Sequence, residues 1–246
     1  MISIIKNKPL NFDRPTFLCD ENSVGSHLND HSMLSLLNCY SFTAVIGRSG
    51  SGKSSLTIAM ITQKNPRIYR KTHHHIIVFM PPNSIGSIKK NPWEKLDQDN
   101  VYNELTDDTI ESAFNKIDKW SGENEKTILY IDDMTASLKR SIGIRTKLNE
   151  LIYNKRHLKC NIIITAQTYV NIPLDVRKNI TNLILFKPSK KEMESVFGEL
   201  IETKKENYED IMRFTFERNT HNFLFCNIAS GRIFKNHDEI IINEDT

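Results

Sequence analysis

The stretch Gly47-Arg48-Ser49-Gly50-Ser51-Gly52-Lys53-Ser54-Ser55 constrains this chain more than any other part of it. It follows a short apolar run, Ser41 to Ile46, and opens a segment of good helical character from Ser54 to Ile61. The spacing G-x-x-x-x-G-K-S therefore lies in the strand, loop, helix order that a phosphate-binding loop requires. Glycines at 47, 50 and 52 let the backbone turn tightly, so that successive N–H groups make a nest for a β-phosphate at the positive end of the following helix. On this reading Gly47, Arg48, Ser49, Gly50, Ser51, Gly52, Lys53, Ser54 and Ser55 hold the nucleotide. Lys53 reaches the β- and γ-phosphates as a point charge, and Ser54 offers its hydroxyl to Mg²⁺. The expected cofactors are ATP and Mg²⁺.

A chain of 246 residues fits one large α/β domain and can bury a sizeable core. Charged residues at 26% and hydrophobic ones at 39% suggest neither disorder nor membrane residence, and no apolar run or leader-like start points to a membrane or to secretion. The expected location is intracellular. Cys19, Cys39, Cys160 and Cys226 are widely spaced, so free thiols are expected rather than a zinc site or a disulfide framework. A net charge of +3 permits a nucleic-acid partner without demanding one.

Residues 1–40 read as a poorly defined N-terminal extension, with a short helix at Ser32 to Tyr40. Residues 41–200 read as the core, and 201–246 as a helix and β-hairpin packed on it. After the loop helix comes a strand at His75 to Met80; the preceding His73-His74-His75 cannot converge easily on a metal, because neighbours on a strand face opposite ways. Pro81 to Asp108 reads as a surface excursion around Trp93. Ile110, Phe114 and Ile117 then mark an amphipathic helix ending near Ser121-Gly122. Thr127 to Ile131 is a buried strand running into Asp132-Asp133, an apolar strand that delivers two carboxylates. In such a pair the first acid orients Mg²⁺ and its waters, and the second polarises an attacking water. Ser137 to Lys147 reads as a basic, glycine-containing loop at the carboxyl edge of the sheet, making Lys139, Arg140, Arg145 and Lys147 candidates for DNA contact. Cys160 to Ala166 is a further strand ending in Gln167, a candidate sensor of the γ-phosphate. A strand at Leu183 to Pro188, helices at Lys190 to Ile201 and Tyr208 to Arg218, a hairpin turning at Ser230-Gly231 and a frayed acidic tail complete the chain.

The combination of Gly47 to Ser55, Ile128 to Asp133, Tyr153-Asn154-Lys155-Arg156-His157, Ile162 to Gln167 and Pro173 to Asn179 resembles the FtsK/HerA-related DNA-packaging ATPases of large double-stranded-DNA viruses, of the poxvirus type, and of virophages. The likeness covers roughly residues 40–190. It implies an additional-strand (ASCE/RecA-like) P-loop NTPase, with a mostly parallel central sheet flanked by helices and a C-terminal β-hairpin, that assembles as a homo-oligomeric ring and moves double-stranded DNA into a capsid. Asp133, with its shorter side chain, stands where many members carry Glu as the general base, while Ser54 and Asp132 take the metal role. Such rings complete each site with an arginine from the neighbour; Arg156 and Arg177 compete for that part. Catalysis is assigned to Lys53, Asp133, Gln167 and one of these arginines. The resemblance implies a capsid or portal partner, no membrane, and residence in the cytoplasm of an infected cell or its viral factory, with virion association open. A small-molecule or nucleotide kinase and a non-translocating nucleotide-dependent scaffold are the alternatives.

Overall fold

Runs of β-branched and aromatic residues with no polar face become the middle of a sheet covered on both sides, and these runs set the architecture. The computed structural model describes residues 2–5, 33–37, 40–64, 67–201, 205–217 and 221–242. Its strands are β1 (Ile2–Ile5), β2 (Phe42–Ile46), β3 (His75–Phe79), β4 (Val101–Tyr102), β5 (Thr127–Asp132), β6 (Cys160–Ala166), β7 (Asn182–Phe186), β8 (Phe223–Asn227), β9 (Arg232–Lys235) and β10 (Asp238–Ile242). They form one ten-stranded sheet in the order β1-β10-β9-β8-β7-β2-β6-β5-β3-β4. From β7 to β4 neighbouring strands run parallel; from β7 out to β1 they run antiparallel. The fold is thus an α/β P-loop architecture. β6 lies between β2, which leads into the glycine loop, and β5, which ends in Asp132.

The helices are α1 (Lys53–Thr62), α2 (Pro82–Gly86), α3 (Asp107–Gly122), α4 (Thr135–Arg140), α5 (Ile142–Asn154), α6 (Leu174–Arg177), α7 (Lys190–Leu200) and α8 (Lys205–Phe216). Side chains alternate across the sheet, so Leu129, Ile131, Ile162 and Ile164 join a core with residues of α3, α5 and α7, while Ile128, Tyr130 and Ile163 join one with residues of α1. The face that carries Tyr130 therefore also carries Asp132, two residues on, toward α1.

Several expectations need correction. The short helix expected at Ser32 to Tyr40 is a single 3-10 turn, Met33–Leu36, and residues 38–39 lie outside the described set. The excursion from Pro81 to Asp108 is not wholly superficial: Trp93 is 2% exposed, with its ring 5.9 Å from that of Tyr130, and β4 pairs with β3. Two residues of strand are too few for any period to show. The stretch from Ser137 to Lys147 is not a loop but the end of α4 and the start of α5, broken only at Ser141, whose hydroxyl caps α5 by accepting from the Ile144 N–H at 3.1 Å. Gly143 misled the reading because its role is spacing: a Cβ there would meet Asp107 Oδ1 at 2.1 Å. The expected hairpin is present, with Gly231 at φ 68°, and it continues into β10, which pairs with β1 near the N-terminus. Of the cysteines, Cys160 and Cys226 are free and buried; Cys19, Cys39 and the acidic tail lie outside the described residues.

Candidate nucleotide-binding site

Parallel strands bring their carboxyl ends to one rim, and the glycine loop, Asp132 and Gln167 all lie there. The Gly47 N–H donates to the carbonyl of Ala166 at 3.1 Å, fastening the start of the loop to the end of β6. Gly50 and Gly52 adopt φ values of 75° and 105°, where a side chain would be strained. Gly47 is required for a different reason: a Cβ there would lie 2.6 Å from Ser51 Oγ and 2.7 Å from Phe186 Cβ. The loop opens α1, whose first-turn N–H groups and dipole favour an anion.

Ser49, Gly50, Gly52, Lys53, Ser54, Ser55, Ser84, Asp132 and Asp133 line one cleft. Arg48, Ser49, Gly50 and Ser51 also line a second, together with Lys187, Pro188 and His221. The loop is thus approachable from two sides. Lys53 is 8% exposed and its Nζ donates to the Arg48 carbonyl at 3.1 Å. Burial lowers its pKa, with the charges of Asp133 and Asp132 opposing that shift.

Asp132 gathers hydroxyls. Its Oδ1 accepts from Ser54 Oγ at 3.0 Å, Tyr130 OH at 2.6 Å and Thr165 Oγ1 at 2.7 Å. Register explains Thr165, which sits opposite Asp132 in the β5–β6 pairing. The Tyr130 hydroxyl is held well above its ordinary pKa by burial first and by the Asp132 charge next, so it remains a donor. Asp133 has φ 51°, an uncommon left-handed conformation for a non-glycine residue. Its N–H donates to Thr165 Oγ1 at 2.9 Å, and its Oδ2 accepts from Gln167 Nε2 at 2.8 Å. Ser54 and Asp132 are oxygen donors of the kind that suits a hard divalent cation, and they already touch in the cleft, so the residues fit Mg²⁺. Among the described residues no group of three His, Cys, Asp or Glu side chains gathers as a metal site of its own.

A family profile described as "Poxvirus A32 protein" matches residues 29–244. The chain belongs to the poxvirus A32 protein family. No curated protein matches the chain in sequence. The fold of this A32-family chain is similar to that of B204, the DNA-packaging ATPase from Sulfolobus turreted icosahedral virus, at 18% identity and a TM-score of 0.62, covering 81% of this chain and 98% of that one. B204 from Sulfolobus turreted icosahedral virus 2, a genome-packaging NTPase solved with ATP-gammaS, matches at 17% identity and TM-score 0.58 over 80% and 97%. EssC (ATPases 2 and 3) from Geobacillus thermodenitrificans matches at 14% and 0.54, over 84% of this chain and 41% of that one.

The two arginines expected to compete are placed very differently. Arg177 Nε and Nη2 donate to the two carboxylate oxygens of Glu199 at 2.7 and 2.6 Å, and Nη1 donates to the Ile172 carbonyl at 3.1 Å. Its guanidinium also lies 5.1 Å from the ring centre of Tyr169. Arg156 is exposed in the turn after α5, at the amino rim and away from its own glycine loop. Of the basic candidates, Lys147 Nζ lies 3.0 Å from both Glu111 and Glu150, Lys139 Nζ donates to Asn171 Oδ1 at 2.7 Å, and Arg145 lies 4.0 Å from Asp175. Arg140 is exposed at the end of α4.

Sequence reasoning missed Ser84, Tyr130 and Thr165. Tyr130 was within reach of it: a residue two before Asp132 on a strand must share its face. Thr165 needed the β5–β6 register, and Ser84 needed the path of α2, neither of which leaves a local signature.

Proposed function

We propose that this protein is an ATP-driven motor that packages double-stranded viral DNA, hydrolysing ATP with Mg²⁺ at the subunit interfaces of a ring. One observation carries this reading: the glycine loop, Asp132, Asp133 and Gln167 meet at one rim, joined by direct hydrogen bonds, in a chain of the A32 family. The packaging ATPases of similar fold support it. The small-molecule kinase and scaffold readings have no observation in their favour.

In this mechanism the loop N–H groups and Lys53 hold the β- and γ-phosphates, and Lys53 gives up its contact with the Arg48 carbonyl to reach them. Ser54 and Asp132 hold the Mg²⁺, which when bound supplies positive charge against the phosphate oxygens. Asp133 orients the attacking water and accepts its proton, while Gln167, already bonded to Asp133, senses whether the γ-phosphate is present. Arg156 of a neighbouring copy stabilises the transferring phosphoryl group, a role that its exposure at the amino rim favours over the pinned Arg177. For DNA we favour the end of α4, Lys139 and Arg140, over Lys147, which is neutralised by two carboxylates. A capsid or portal partner and action within the infected cell complete the reading.

The test is phosphate release by the full chain with and without duplex DNA across a salt series. Duplex DNA is expected to stimulate turnover severalfold at low salt, with the stimulation fading steeply as salt rises. Hydrolysis indifferent to DNA at every salt concentration would overturn the motor.

A further inference from the structure

We infer that Tyr130 and Thr165 form a hydroxyl clamp that positions Asp132 for a divalent cation. The inference rests on reading the cleft as a metal and triphosphate site. Asp132 is 2% exposed, and a carboxylate so enclosed keeps one rotamer only where donors hold it. Tyr130 and Thr165 direct their hydroxyls onto the same oxygen, Oδ1, at 2.6 and 2.7 Å, inside the range for charge-assisted O–H···O⁻ bonds. No hydrogen bond engages Oδ2 among the described residues. That leaves Oδ2 for the metal or its water shell.

Each clamp residue is itself held. The Tyr130 ring is fully buried in the core on the α1 face, with Trp93 beside it. Thr165 is fixed in register opposite Asp132, and its Oγ1 accepts from the Asp133 N–H while it donates to Asp132, so one hydroxyl sets the relation between the two acids. Ser54 donates to Oδ1 as well, but from α1, so its bond alone would let the carboxylate follow any movement of the glycine loop. The clamp ties Asp132 to the sheet instead. Tyr130 and Thr165 are therefore positioning residues, acting through Asp132.

The test compares equilibrium binding of a fluorescent, non-hydrolysable ATP analogue to the full chain in excess Mg²⁺ and in EDTA. The ratio of the two dissociation constants is the contribution of the metal and needs no turnover. Tyr130→Phe and Thr165→Val are each expected to cut that ratio about tenfold, the size of a hydrogen bond to a charged group, leaving the EDTA value within about twofold. Thr165→Ser, which keeps the hydroxyl, is expected to restore the wild-type ratio. A wild-type ratio in both Tyr130→Phe and Thr165→Val, or equal losses with and without Mg²⁺, would overturn the clamp. Should Tyr130→Phe not fold, Thr165→Val against Thr165→Ser decides alone. If the wild-type chain binds nucleotide equally with and without Mg²⁺, the metal reading fails and takes the clamp with it; a wild-type Mg²⁺ effect that both variants keep overturns the clamp alone.

Discussion

The two rims of the parallel half of the sheet carry similar residue types and put them to opposite use. At the carboxyl rim, hydroxyls, carboxylates and an amide converge on open clefts: Ser54, Asp132, Asp133 and Gln167 share hydrogen bonds. At the amino rim, Ser41 Oγ, Tyr69 OH, His73 Nε2 and Asn161 Nδ2 are shut away from solvent, each without a well-formed hydrogen bond. The Tyr69 hydroxyl is pushed up to about 12 by burial, and the His73 imidazole down to about 3, again chiefly by burial. Polar groups facing a cleft are open to a ligand, whereas Tyr69 and His73, sealed at a strand origin, are held neutral. The same chemistry serves binding at one end and packing at the other.

The contrast predicts where a substitution costs activity and where it costs stability. The largest effect is expected at Lys53: Lys53→Ala should lower ATP turnover about a thousandfold or more while leaving the unfolding temperature near wild type. A folded variant that hydrolyses ATP at the wild-type rate would remove the carboxyl rim from the chemistry. The arginines sharpen the comparison next. Arg156→Ala should reduce turnover about a thousandfold only under conditions where copies assemble, with nucleotide binding and stability unchanged. Arg177→Ala should instead cost about 1–3 kcal/mol of stability by stranding Glu199, seen as a lower denaturant midpoint. Interchanged outcomes would reassign the trans-acting group to Arg177.

A further contrast concerns pH. His73 Nδ1 lies 2.8 Å from Thr72 Oγ1, which itself donates to the Tyr69 carbonyl, so Nδ1 carries the proton and Nε2 is the atom that would have to charge. Because the folded pKa lies below the unfolded value, the unfolded chain binds the extra proton first. The stability due to a neutral His73 is complete above about pH 6.5 and is lost as the pH falls toward about 3, at no more than about 1.4 kcal/mol per pH unit. His73→Gln should flatten the acid side of the unfolding temperature against pH. An unchanged slope would assign the acid sensitivity to other groups.

What was legible in the sequence follows the physics of each part. The glycine loop and the strands ending at Asp132 and Ala166 could be read because apolar runs and fixed short spacings are local facts. The additional strand that the resemblance implied is present as β6, between β2 and β5. The helices α4 and α5 were hidden because a glycine and a cluster of cations imitate a loop; what Gly143 answers is Asp107, distant in sequence. β10 and β1 could not be anticipated, since neither has a partner until both ends of the chain are brought together. Thr165 was hidden for the reason that makes it interesting: a hydroxyl in an apolar strand looks like tolerated polarity until the residue opposite is known, whereas the spacing of Tyr130 from Asp132 was there to be read.

Phe186 gives the glycine loop an unequal tolerance to change. Its Cβ closes position 47 to anything larger than hydrogen, and because the obstruction is a Cβ, trimming the aromatic ring would not reopen it. Gly50 has no neighbour within 4 Å of where a Cβ would stand and is held to glycine by its dihedral angle alone. Inheritance can therefore alter the crest of the loop by any residue that accepts a left-handed turn, asparagine first. Its root admits no such drift while β2 and β7 keep their present separation.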